Sequence, residues 1–179
     1  AALSFIAADS ERLWRGLANG EISLIASDTC TFTKRQKAAW GGDFAKIPFG
    51  MPGVETMLPL MHAFGAAKGR FSLNRLVQLV SANPARIHGL YPRKGTLAIG
   101  ADADVVIFDP KKRFTIAPRR LQSNCDWSPF NGWTLTGYPA MTFSRGRLVA
   151  RHGRFTGEKG WGRFVKRLPW GGVEGTVKR

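Results

Sequence analysis

A chain of 179 residues with 44% hydrophobic and 22% charged positions has the make-up of a soluble globular protein. It is long enough for one domain with a real core, or for one domain and part of another. No run of about 18 apolar residues is present, which excludes a membrane span as an expectation.

The opening AALSFIAADSERLW lacks a basic n-region and a long apolar h-region, so it does not read as a signal peptide. It carries no initiator methionine, which fits a piece of a longer protein. Residues 9–18 read as a helix: Asp9 suits the N-cap, Leu13, Trp14 and Leu17 make an apolar stripe, and Asn19-Gly20 ends it. Ile22 to Ala26 then reads as a buried strand, with Ser27-Asp28-Thr29-Cys30 at its C-terminal end. A helix feeding a buried strand is α/β grammar. In a TIM barrel the C-terminal ends of strands are the catalytic positions, which singles out Asp28. Its bland reading is a loop cap after a strand. Residues 31–54 read as a long loop rich in Gly and Pro, of a length that is usually functional or mobile.

Glu55 to Ala67 reads as the next helix, with Met57, Leu58, Met61 and Phe64 as buried contacts. After an N-cap at Ser72, Leu73, Leu76, Val77 and Val80 recur at i, i+3, i+4 and i+7, one face of an amphipathic helix. Asn83-Pro84 is expected to break it, because the proline ring disfavours the α region at the preceding residue. Asn83 then caps a second short helix that Pro84 opens and Gly89 stops. Gly95 and Gly100 punctuate the turn before a short apolar strand, Val105-Val106-Ile107-Phe108, ending at Asp109-Pro110.

Beyond Pro110 the character changes. The ratio of Lys and Arg to Asp and Glu is 12 to 9 up to that point and 15 to 3 after it. A β-like run at 113–117 and a hairpin pairing 140–144 with 147–151 around Ser144-Arg145-Gly146-Arg147 are expected, with an ordered aromatic, Gly- and Pro-rich connection between them. From about Gly157 onward the sequence reads as a weakly ordered basic tail. Trp161, Phe164 and Trp170 interleave with its charges, a pattern able to touch RNA, an acidic membrane surface or an acidic neighbour in an oligomer. No base-reading motif accompanies the charge, so neither a nucleic-acid nor a membrane partner is expected. Cys30 and Cys125 lie far apart without CxxC spacing, which argues against a disulfide framework and for a reducing cytoplasm.

The run SANPARIHGLYPRKGTLAIGADADVVIFDP combines Asn83-Pro84-Ala85, Gly89-Leu90-Tyr91-Pro92, Lys94-Gly95, Gly100 and Asp102-Ala103-Asp104 in one order and spacing. It closely resembles the C-terminal signature of the dihydropyrimidinase/hydantoinase branch of the metal-dependent amidohydrolases. Upstream, Leu13-Trp14, Ala26-Ser27-Asp28, Cys30-Thr31-Phe32, Phe44-Ala45-Lys46-Ile47-Pro48 with Gly50, and Pro52-Gly53-Val54-Glu55 resemble further blocks. Asp126-Trp127-Ser128-Pro129-Phe130 and Gly137-Tyr138-Pro139 do so downstream, and the likeness spans roughly residues 10 to 155.

The resemblance implies an α/β fold: the C-terminal part of a (β/α)8 TIM-like barrel at 1–94, part of a small β-sandwich at 95–155, and the basic tail at 156–179. It implies hydrolysis of the cyclic amide bond of dihydropyrimidines or hydantoins to N-carbamoyl amino acids. The chemistry would use a binuclear metal centre, usually zinc, in a homo-oligomer that is a tetramer in the family. Asp28 stands at the motif aspartate that binds one metal and shuttles the proton to the leaving nitrogen. Asn83 stands at the motif asparagine expected to bind substrate through its backbone, a role open alongside helix capping. Asp102 and Asp104 look like a metal or acid/base pair but read as turn and strand-edge residues. His62, His88 and His152 show no HxH or HxxxH spacing and read as packing or surface residues.

The family's HxH pair, its metal-bridging lysine and its later histidines match no segment of this chain, so most zinc ligands are expected outside it and the chain alone is expected to be inactive. Thr29 stands where relatives often have His, and Phe49 where some have Asn, two departures that bear on substrate range. The competing readings are a non-catalytic relative of the family that serves as an assembly scaffold and a basic nucleic-acid binder.

Overall fold

The computed structural model describes residues 7–169. The expectations for the extreme N-terminus and for Trp170 lie outside the described residues. Helices occupy the first half: α1 (Ala7–Asn19), α2 (Lys34–Ala38), α3 (Val54–Phe64), α4 (Leu73–Val77) and α5 (Asn83–Ile87). A four-stranded antiparallel meander follows: β1 (Val105–Thr115), β2 (Thr134–Ser144), β3 (Arg147–Arg151) and β4 (Arg154–Phe155), in that spatial order.

The expected break at Asn83-Pro84 does not occur. A π-helical turn, Gln78–Ala82, joins α4 to α5 into one run, and Asn83 keeps right-handed helical angles. Pro84 has no N–H to give, and its ring would crowd the carbonyl of the preceding turn in a regular α-helix. Widening that turn relieves the crowding: the Asn83 N–H donates five residues back, to Gln78 O. Asn83 is therefore not the cap of a second helix.

The core gathers Leu17 of α1, Phe71, Leu76 of α4 and Leu79, with Trp14, Leu58 and Met61 packed against it. Only part of each expected stripe is buried. Leu13 of α1 and Leu73 and Val77 of α4 are exposed, and the latter two border an apolar groove with Leu97 and Val106. In α3 the fully covered positions are Thr56, Pro59 and His62 rather than the methionines. That face lies on β2, where His62 Nδ1–H donates to Thr136 O at 2.9 Å and the ring sits 4.8 Å from Phe108. Gly137 passes directly beneath the imidazole with φ of +102°.

The two expected short runs at 105–108 and 113–117 are one strand, β1, with a register irregularity between Asp109 and Arg113. There the Asp109 carboxylate accepts from the Lys111 and Lys112 amides. The hairpin stands where the sequence puts it: β2 meets β3 through Arg145-Gly146, both at positive φ, as a two-residue primed turn requires. A second such turn, His152-Gly153, adds β4.

Past Gly157 the chain makes defined contacts as far as Leu168. Trp161 lies against the guanidinium groups of Arg145 and Arg147, at 4.4 and 5.0 Å, and donates from Nε1 to Ser144 O. Leu168 N donates to Gly89 O at 2.7 Å.

Asp102 and Asp104 are structural, as expected of turn and strand-edge residues. Lys94 bridges them, 2.8 Å from Asp102, and Arg93 adds a 3.0 Å contact to Asp102. Asp104 also accepts from Arg145 N, tying the glycine-rich turn to the hairpin. The hydrogen bonds from Lys94 and then Arg93 hold Asp102 below its ordinary 3.8. Desolvation opposes the charge on Lys94, but its bonds to the two carboxylates outweigh that and raise it above 10.5.

Two measurements check this packing. Gly137→Ala would set a Cβ 2.1 Å from His62 Nδ1, and we expect a stability loss of about 2–4 kcal/mol in urea unfolding, the sum of overpacking and left-handed strain. For Asp102, whose folded-state value is depressed, the stabilisation is present above 3.8 and lost as pH falls through the lower folded value. Melting curves between pH 6 and 2 should show a smaller acid-induced drop for Asp102→Asn than for the unaltered chain.

Candidate functional site

Asp28 owes its position to the π turn. In a regular helix Leu79 O would accept from Asn83 N, which is already committed to Gln78 O; in a continued π-helix it would accept from Pro84, which has no N–H. The orphaned Leu79 carbonyl accepts instead from Ile25 N, at 3.1 Å. Asn83 adds a second tie, its Nδ2 donating to Ser23 O at 2.7 Å. Together they lay the segment from Ser23 along the helix.

This segment was expected to be a buried strand. It is extended but has no ladder partner among the described residues, and Ile22 to Ile25 are only half-buried. A strand is defined by pairing, and nothing described lies beside this one to pair with it.

At its end one residue takes left-handed backbone. Asp28 has φ of +44°, left-handed backbone that Asp and Asn tolerate better than most residues. Thr29 Oγ1 donates to Ser27 Oγ at 2.8 Å across the turn. The Asp28 carboxylate is exposed, and among the described residues it has no hydrogen bond or ion pair. Strained backbone presenting an unpaired carboxylate is the kind of outlier that points to function.

The long loop expected at 31–54 is braced rather than loose. Thr33 and Gln36 form a reciprocal capping box that starts α2, a Thr-x-x-Gln signature legible in the sequence but not read there. Phe32 O accepts from Trp127 Nε1 at 2.7 Å and from Cys125 Sγ at 3.4 Å. Lys37 Nζ lies 5.9 Å from the Phe32 ring centre and 5.6 Å from that of Trp127, and donates to Pro48 O at 2.9 Å. Gly50, at φ of +128°, packs on Cys30 so closely that a Cβ would stand 2.4 Å from Cys30 O. Gly53 lies against Ser27 and Thr29. The returning loop thus forms a wall along the Asp28 turn. Lys37, Gly50 and Trp127 build that wall, and sequence reasoning assigned them no part in it.

Asn83 stands elsewhere. It is 0% exposed, its N–H is engaged in the π turn and its amide holds Ser23. Through these two bonds Asn83 supports the segment that carries Asp28. Its Oδ1 has no hydrogen-bond partner among the described residues. His62 is a buried packing residue, while His88 and His152 are exposed. Among the described residues no three His, Cys, Asp or Glu side chains gather where a metal could be held. No helix of the described residues is long and apolar enough to cross a membrane.

Comparison with known proteins bears on this arrangement. The amidohydrolase family profile matches residues 1–149. D-phenylhydantoinase from Escherichia coli O1:K1 is 45% identical over 163 residues, 90% of this chain and 35% of that protein. The solved D-hydantoinase (dihydropyrimidinase) from Thermus sp. superposes with a TM-score of 0.85 at 39% identity, covering 89% of this chain and 35% of its own. An L-hydantoinase (dihydropyrimidinase) from Arthrobacter aurescens does so at 0.83 and 40% identity, covering 90% and 36%. The chain spans about 35% of the length of these relatives.

Removing the Asn83 amide isolates its supporting role. Asn83→Ala leaves Ser23 O without its donor and a small void in the core, and should lower unfolding free energy by about 2–3 kcal/mol. Amide exchange at Ile25 should quicken in parallel.

Proposed function

The chain belongs to the amidohydrolase family, and on that premise we propose that it is the C-terminal portion of a hydantoinase/dihydropyrimidinase-type enzyme. Such an enzyme hydrolyses the cyclic amide C–N bond of hydantoins or dihydropyrimidines to N-carbamoyl amino acids. The observation that carries this reading is Asp28: exposed, unpaired among the described residues, and fixed in a left-handed turn at the end of an extended segment. The hydantoinase names of the relatives supply the substrate class.

A free carboxylate is an oxygen donor suited to a divalent metal, so Asp28 fits one ligand position. With no cluster of three such donors among the described residues, the remaining ligands of a binuclear zinc centre belong to polypeptide outside this chain. When bound, the metal pair supplies Lewis-acid polarisation of the ring carbonyl and acidifies water. Asp28 takes the proton of the attacking water at a carboxylate oxygen and returns it to the ring nitrogen as the C–N bond breaks. The braced loop holds the turn still, so the carboxylate is positioned before substrate arrives. Exposed apolar residues along the groove, Leu73, Val77 and Leu97 among them, are surface that further polypeptide of the enzyme or a second copy in a tetramer would cover. Two free cysteines suit a cytoplasmic setting.

The full-length polypeptide containing this chain should open hydantoin or dihydrouracil in the presence of zinc. Asp28→Asn should lower its kcat by about 10²–10⁴-fold. In the 179-residue chain Asp28→Gly should leave stability unchanged or raise it, by up to about 1 kcal/mol, because glycine relieves the positive-φ strain. The 179-residue chain assayed alone with zinc should show no turnover above background. Turnover there would refute the division of the metal centre between this chain and outside residues.

A further inference from the structure

The bond from Ile25 N to Leu79 O is the last backbone hydrogen bond before Asp28 among the described residues, three positions upstream of it. The Asn83 amide holds Ser23 two positions earlier. The Asp28 carboxylate has no hydrogen bond or ion pair of its own among the described residues, so its placement is inherited from the segment that carries it. What makes the Ile25 tie obligatory is residue 84. Any residue but proline would carry an N–H there. In a continued π turn that N–H would reach Leu79 O, and in a regular helix Asn83 N would reach it. Leu79 O would then have a donor on its own helix, one that requires no second segment to be ordered. Proline removes this competitor, at the expense of a widened turn over Gln78–Ala82 and a missing N–H in the helix.

We infer that Pro84 is a positioning residue for the reaction: by withholding an N–H from Leu79 O, it locks in place the segment that presents the Asp28 carboxylate. The inference rests on the cyclic-amidohydrolase reading and adds to it a residue that acts through Leu79 and Ile25 instead of on the substrate. It requires stability and activity to move in different directions. An N–H at position 84 repairs the helix, and this gain offsets the freedom returned to the unfolded chain. The same N–H loosens the Ile25 segment, and a displaced carboxylate loses rate while the substrate still binds. A residue needed only for packing would lower both together.

The test uses the full-length polypeptide containing this chain, supplied with zinc, and hydantoin as the probe. In Pro84→Ala kcat should fall about 10–100-fold while KM stays within about twofold. The urea midpoint should hold or rise, and amide exchange at Ile25 should quicken about tenfold. Pro84→Gly, which supplies the N–H without alanine's helix preference, should give the same fall in kcat and the same quickening. An unchanged kcat or an unchanged exchange rate at Ile25 in the folded variants overturns the inference and leaves the hydrolase reading intact. A change that resides in KM also overturns it, because Pro84 then shapes a binding surface. A lowered midpoint or a lost fold in Pro84→Ala does so too, because Pro84 then serves the helix itself. Failure of the unaltered enzyme to open the ring overturns the hydrolase reading and this inference with it.

Discussion

One carbonyl decides where the candidate site sits. Leu79 O has no partner within its own helix, because Asn83 N is given to Gln78 and Pro84 has no N–H. A buried carbonyl left without a donor costs about as much as a lost hydrogen bond, so the neighbouring segment is drawn in to supply Ile25 N. The Asn83 amide repeats the tie at Ser23. A proline that looks like a helix breaker instead makes a docking edge, and the segment docked there ends in Asp28.

From that edge the rest follows outward. The core of Leu17, Phe71, Leu76 and Leu79 packs behind the docked segment, with Ile22 and Ile25 against it. In front of it, glycines at 50 and 53 let the returning loop touch Cys30, Ser27 and Thr29, and the Lys37–Phe32–Trp127 cluster fixes that loop from its far side. His62 and Gly137 join α3 to the sheet, and Lys94 with Asp102 and Asp104 joins the glycine-rich turn to the hairpin. Hydrogen bonds, ion pairs, ring contacts and close backbone approaches between separate elements are how a short polypeptide with a modest core holds an exposed turn in one place.

On the proposed reading the site is divided between what this chain holds and what it does not. A single unpaired carboxylate is a donor, and a metal centre needs several. The extended segment from Ser23 is in the same condition: it has a helix behind it and no strand beside it among the described residues. Both are edges at which further polypeptide of an amidohydrolase fits, in keeping with a chain that spans about 35% of its relatives' length.

The sequence alone determined the local events: the first helix, the Ser72 cap and the Arg145-Gly146 hairpin turn all rest on neighbours a few residues apart, although α1 begins at Ala7 and takes Asp9 into its first turn instead of capping on it. Its motifs also determined the family. Only the tertiary structure decided that Asn83 is buried as a strut, that Pro84 widens a helix instead of ending it, and that Lys37 ties the loop at Pro48 to Trp127. Each of these depends on a partner far along the chain, Ser23 for Asn83, Ile25 for Leu79 and Trp127 for Lys37, and a long-range contact leaves no periodicity for a sequence reading to detect.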